Sequence, residues 1–208
     1  MSDKAKFPLA IMERAATDLC GELFHHVARL YVCGSVRRGK EQCSDIELVF
    51  EPLPDVPVTF DIFGEPTEWQ NPSLAKTNLM INAGVLSYRY KSDGTKTWGK
   101  ENRLAIYHWH GYEIPVDLFA VFDPTKWGTH IAIRTGSADF NKRLLTKRSQ
   151  GGWMPDIMGM KDSFTLYRGI SPVPCPTEED FFREIGIRWI APEDRHEAAV
   201  KPFSEVRL

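Results

Sequence analysis

Apolar residues recur at helical spacing near the start of the chain. Met12, Ala16, Leu19, Leu23 and Val27 fall three or four apart, which predicts an amphipathic helix over roughly 9–29 with one face on a core. The pattern then shortens. Leu30–Cys33 is an apolar run ending at Gly34-Ser35, and Ile46–Phe50 is a second such run; both read as strands. The proline-containing stretch Pro52–Pro57 breaks the pattern. Asn71-Pro72 supplies a cap and first-turn pair for a helix through about Ala83, closed by Gly84. Residues 86–119 read as strands joined by tight turns at Asp93-Gly94 and His110-Gly111, and the last strand, Tyr112–Phe119, carries Asp117.

Asp123-Pro124 opens another helix by the same capping logic, and Gly136 closes it in a position suited to a left-handed turn. Ser137 then caps a basic helix running to about Ser149, ahead of Gly151-Gly152, and a hairpin follows near 163–170. Thr177 with Asp180 resembles a capping box, with Asp in place of the usual Glu, opening a helix through Ile185. No repeat or low-complexity tract interrupts the chain. The expected fold class is α+β: a mixed β-sheet with helices packed on one face over 1–123, then a small α/β domain over 124–208.

Composition narrows the class. A chain of 208 residues buries roughly 70% of its unfolded surface and needs no staples. No apolar run approaches the ~18–20 residues of a membrane span, and the start, MSDKAKFPLA, is charged and lacks a signal-peptide apolar region. Cys20, Cys33, Cys43 and Cys175 show no paired spacing, so buried or incidental thiols in a reducing cytoplasm are expected rather than zinc or disulfides. The net charge of −2 argues against a protein that simply coats nucleic acid. Locally, Lys142, Arg143, Lys147 and Arg148 gather with only Asp139 nearby. That is either a solvated helix face or a grip on a nucleic-acid backbone.

The chemistry concentrates in residues 33–50, CGSVRRGKEQCSDIELVF. Gly34 lets the backbone approach a ligand, and Ser35 offers a hydroxyl and an amide to phosphate oxygens. A helix beginning over Val36–Gly39 would add unpaired N–H donors, and Arg38 a forked pair. Asp45 and Glu47 stand two apart on a strand, so their carboxylates leave one face with Cα atoms about 6.5–7 Å apart. That suits oxygen ligation of a hard cation such as Mg²⁺. Asp117, between Val116 and Leu118, supplies a third carboxylate; alone it could be a hydrogen-bonded strand-end Asp. His108-Trp109-His110 puts two imidazoles on one face of a strand with no third ligand evident. Trp127, Trp153 and Trp189 are expected in the core rather than stacked on bases.

At these residues the chain resembles the family X DNA polymerases. CGSVRRGKE followed by SDIE is similar to their active-site motif. IRTGSADFNKRL (133–144) resembles the segment bordering their nucleotide pocket, and TEEDFFREIGIRWIAPEDR (177–195) the closing part of their thumb. The resemblance runs with gaps from about 8 to 195 and implies a nucleotidyltransferase palm followed by a thumb. It implies two Mg²⁺ ions, with Mn²⁺ a substitute, on Asp45, Glu47 and Asp117. It implies nucleotide contacts from Gly34, Ser35, Arg38, Ser44, Gly136 and Asn141, and nucleic-acid contacts from the basic segment. The expected partners are a nucleoside triphosphate and gapped or primer-template DNA, with no membrane, and the expected protein is a monomer active in DNA repair or replication.

The chain also departs from the pattern. Glu47 stands where the family has Asp, Ser44 replaces a glycine, and Pro115 replaces a basic residue. Ile133-Arg134 stands where the family usually has aromatics, one of which screens against a ribose 2′-hydroxyl, and Leu145 stands where an arginine monitors the template minor groove. Deoxyribose selectivity and fidelity therefore do not carry over. Nothing resembling a lyase domain precedes the first helix, a layout similar to the compact family X polymerase of certain large DNA viruses. A cytoplasmic protein, or a viral one acting in the host cytoplasm, is expected.

Overall fold

The structure, a computed structural model, describes residues 5–208; the first four residues of the charged start lie outside them. After a two-residue strand, β1 (Phe7–Pro8), the apolar stripe forms α1 (Leu9–Leu23), burying Met12, Ala15, Ala16, Leu19 and Leu23. The helix stops short of the expected end. Phe24–His26 is a 3₁₀ turn, and Val27 opens strand β2 (Val27–Cys33). Val27 kept the helical spacing by coincidence, and its β-branched side chain suits the extended backbone it adopts.

Elements α2 (Gly34–Arg37), β3 (Gln42–Cys43) and β4 (Ile46–Pro52) follow. Then come β5 (Val56–Phe60), β6 (Pro66–Gln70), α3 (Pro72–Asn82), β7 (Leu86–Tyr88), β8 (Asn102–Trp109) and β9 (Tyr112–Ala120). Packing divides the chain into two units: Met1–Val32 with Cys43–Phe122, and Cys33–Gln42 with Asp123–Leu208. The later break falls beside Asp123; the earlier segment, which carries the Gly-Ser turn, packs with the second unit.

The first unit is built on a five-stranded sheet in the order β2-β4-β9-β8-β7. Strands β4 and β9 are parallel, while β8 runs antiparallel to β9 and to β7. Alternation sets the faces: Ile46 and Leu48 on β4, and Ile114, Val116 and Leu118 on β9, are buried. Buried Arg103 fastens α3 to β8, its guanidinium donating to Leu74 O at 2.8 Å and Asn78 Oδ1 at 3.0 Å. Trp109 Nε1 donates to Asp18 Oδ2 at 2.7 Å and ties β8 to α1. Asn71 caps α3 as expected, accepting from the Ser73 and Leu74 amides.

One expectation changes here, and one element is new. His110 and Gly111 both have positive φ, 46° and 84°, the two-residue turn that the sequence suggested. His110 therefore leaves the strand, and His108 meets Ser87 Oγ instead, at 2.8 Å, so the pair of imidazoles does not share a strand face. The hairpin β5–β6 was invisible in the sequence. It contains Pro57 and Pro66, its register slips after Pro57, and β6 is exposed along its whole length, so no buried-exposed alternation marks it.

The second unit contains a 3₁₀ turn (Pro124–Lys126), α4 (Trp127–Thr135), α5 (Ala138–Leu145), β10 (Met158–Lys161), β11 (Thr165–Arg168), β12 (Ser171–Val173), α6 (Glu178–Glu184), α7 (Arg195–Ala198) and α8 (Phe203–Val206). Strands β10-β11-β12 form an antiparallel sheet. The core gathers Phe140, Leu144, Trp153, Phe181, Phe182 and Ile185. The Thr177–Asp180 capping box is formed in both directions. Trp127 and Trp153 are buried as expected, but Trp189 is 43% exposed.

Gly136 is not left-handed: its φ is −62° and ψ 145°. Glycine is required there for space, because a Cβ would stand 2.1 Å from Asn141 Oδ1 and 2.8 Å from Phe140 Cδ1. The basic helix is shorter than expected. Thr146 is extended, and Lys147 and Arg148 lie beyond the helix, because the returning chain takes its last carbonyls: Trp153 N donates to Arg143 O and Met154 N to Thr146 O. The described structure is α+β as expected, all four cysteines are free thiols, and no described helix is long and apolar enough to cross a membrane.

Candidate functional site

In the first unit, Glu47 of β4 lies directly opposite Asp117 of β9 in the parallel ladder. Opposed residues on neighbouring strands project to the same face, here the face opposite that of buried Leu48 and Leu118. Asp45 precedes β4 by one residue, two before Glu47, and all three acids are part-exposed. Ser44 forms the bend just before Asp45.

A guanidinium that the sequence did not reveal completes this row. Arg89 follows β7, and its backbone N donates to Leu104 O at 3.2 Å. Leu104 is the β8 partner of Asp117. From that position Arg89 Nη2 forms an ion pair with Asp117 Oδ1. Among the described residues no three His, Cys, Asp or Glu side chains close into a group that could hold a metal ion. The three acids offer only carboxylate oxygen, the donor type that hard divalent cations take, and Asp117 carries the Arg89 guanidinium on one of its oxygens.

In the second unit, Gly34 has φ +64°, a conformation that favours glycine, and it turns the chain into α2. Ser35 Oγ is shielded from solvent and meets no hydrogen-bond partner, a costly state for a hydroxyl unless a ligand completes it. Arg38 Nη1 donates to Thr135 O at 2.5 Å. Asn141 donates Nδ2 to Ile133 O at 2.8 Å, satisfying a carbonyl near the end of α4, while its buried Oδ1 has no partner. Two of the residues predicted to face a nucleotide thus carry buried polar atoms left unsatisfied within the protein.

Arg37, beside the residue singled out in the sequence, has a different task. Its fork holds Glu178 at 3.0 and 2.9 Å and also donates to Thr135 Oγ1 at 2.7 Å. Glu178 also pairs with fully buried Arg195 at 2.8 Å and accepts from Trp189 Nε1 at 3.0 Å. Burial pushes the Glu178 carboxyl up, but the hydrogen bonds and charges of Arg37 and Arg195 outweigh it and hold the group below its ordinary range. This network anchors α2 to α4 and α6. Only the Arg37-Arg38 doublet hinted at it, because its other members are distant in sequence.

The predicted basic face divides in two. Arg143 donates to Ala199 O at 3.0 Å and to Gly151 O. Arg148 donates to Trp153 O at 3.1 Å and to Ile185 O, with its guanidinium 3.8 Å from the Phe203 ring centre. Both arginines hold their own domain together. Lys142 is exposed and lines, with Arg143, Thr146 and Gln150, a surface pocket of about 310 Å³; Lys147 is half-buried beside it in sequence.

No curated protein matches the chain. Residues 131–196, within the second unit and less than half of the chain, match the family described as DNA polymerase beta thumb, which supports a family X polymerase-like relation.

Proposed function

We propose that this chain is a metal-dependent nucleotidyltransferase, acting as a DNA-directed DNA polymerase on short gaps or primer ends. The observation that carries this reading is Glu47 facing Asp117 across parallel neighbours, with Asp45 two residues before Glu47. Asp45, Glu47 and Asp117 would hold Mg²⁺, or Mn²⁺ in its place. Such ions would supply the positive charge that lowers the pKa of a 3′-hydroxyl and offsets the charge on pyrophosphate. The 3′-hydroxyl gives its proton to solvent, and its oxygen bonds to the α-phosphorus of a nucleoside triphosphate as the bond to pyrophosphate breaks.

The protein's own contribution is electrostatic and positional. Ser35 would offer its unsatisfied hydroxyl to a phosphate oxygen, with Arg38 and the backbone at Gly34 serving the same group. Asn141 presents its unpaired Oδ1, with Gly136 keeping the space beside it open. Lys142 and Lys147 grip the nucleic-acid backbone, while Arg143 and Arg148 shape the surface that carries them.

A second reading is template-independent transfer to RNA, a protein or a small molecule. It is favoured by the internal engagement of Arg143 and Arg148, which leaves fewer cations for a nucleic-acid backbone. Primer extension with Mg²⁺ or Mn²⁺, each dNTP and rNTP, with and without template, separates the two. Incorporation that follows the template base supports the first reading; addition indifferent to template supports the second. Should the wild type equal an Asp45→Ala control on every acceptor, a non-catalytic nucleotide- or DNA-binding protein is what remains.

A further inference from the structure

Glu47, Asp117, Leu104 and the Arg89 backbone form one transverse row across β4, β9 and β8, ending just past β7. Two carboxylates opposed on neighbouring strands repel each other, and Asp45 adds a third negative charge two residues from Glu47. Arg89 pairs with Asp117 and offsets part of this charge, and both members of the pair keep some contact with solvent, 25% and 18%. The arginine's backbone is pinned to the strand directly beside Asp117, so its reach is set by the ladder rather than by a flexible loop.

We infer that Arg89 is a positioning and charge-balancing residue for Asp117, which holds that carboxylate on the Glu47 face and sets how tightly a divalent cation binds there. The inference rests on the metal-ligand role proposed for Asp117. A guanidinium on a ligand carboxylate lowers cation affinity in two ways: it competes for the oxygen, and its charge opposes the incoming ion. It also keeps the metal-free acids from repelling one another. Arg89 therefore trades metal affinity for a stable, prearranged apo site.

The test is Mn²⁺ binding to the full chain without nucleotide, read from the electron paramagnetic resonance signal of free Mn²⁺. Arg89→Gln and Arg89→Met, which remove the charge, should each bind Mn²⁺ about tenfold more tightly than wild type. Arg89→Lys, which keeps the charge, should stay within about threefold. In the wild type, Mg²⁺ should also shift the side-chain nitrogen resonances of Arg89, a readout that needs no variant to fold. Unchanged or weaker binding in the neutral variants, with Asp117→Asn clearly weakened, overturns the role of Arg89 and leaves Asp117 a ligand. Asp117→Asn binding Mn²⁺ like wild type would overturn the ligand reading itself, and the inference with it.

Discussion

In the second unit Glu178 is enclosed by two guanidiniums and an indole, and its side chain is 6% exposed. In the first unit Asp117 meets the guanidinium of Arg89, and its side chain is 18% exposed. The chemistry is the same, arginine on carboxylate, but the surroundings differ. Around Glu178, Arg195 also donates to Ile190 O at 3.2 and 3.1 Å and lies 5.3 Å from the Phe182 ring centre. That arrangement is closed: fixed donors around the carboxylate leave no room for exchange. At Asp117 the arginine is a side chain that is 25% exposed, and an opposing carboxylate stands across the ladder. A buried pair of the first kind locks a fold; a wet pair of the second kind can yield its partner to a ligand.

The largest effect should come from breaking the closed network. Glu178→Ala leaves fully buried Arg195 without its counter-charge, which costs about 3–5 kcal/mol of stability, measurable as a shift in the urea midpoint. A loss below about 1 kcal/mol would erase the distinction between the two pairs. The same group has a pH signature. Its folded pKa lies below the ordinary 4.5, so its stabilisation is fully present above that value and is lost as pH falls through the folded pKa. Acid unfolding of wild type should therefore include a component that is missing in Glu178→Gln.

A medium effect tests the tight corner where α4 meets α5. Gly136→Ala forces a methyl group against Asn141 Oδ1 and Phe140, which costs about 1–3 kcal/mol. If Asn141 must turn to make room, nucleotide affinity falls with stability, and the double variant with Asn141→Ala should recover part of the stability. Full stability in Gly136→Ala alone would contradict the packing.

What was legible in the chain follows the range of the interactions. Caps at Asn71 and Thr177 and the turn at His110-Gly111 are set by neighbours in sequence, so residue type alone revealed them. Asp45, Glu47 and Asp117 were legible as acids in apolar strands. That Glu47 faces Asp117 is a matter of strand register, which the sequence only implied. Arg89, Glu178 and Arg195 escaped because each matters through a partner far along the chain, and a lone charged residue on a surface pattern looks solvated. Arg143 and Arg148 show the same limit: clustered charge looked like one face, and only the structure shows each guanidinium donating to a carbonyl of its own unit.

The smallest effect on stability concerns the cations of that segment. Lys142→Ala with Lys147→Ala should change stability by only about 0.5 kcal/mol each, whereas Arg148→Ala should cost more, since it orphans the Trp153 and Ile185 carbonyls. On binding to a short duplex the order should reverse. Each lysine that touches a phosphate contributes about 0.9 to the slope of log affinity against log salt concentration, so the double lysine variant should bind with a visibly flatter salt dependence. Arg148→Ala should leave that slope alone while lowering the melting temperature. A slope unaltered by losing both lysines would mean that this segment does not touch a nucleic-acid backbone, and would move the proposed acceptor away from DNA toward a smaller molecule.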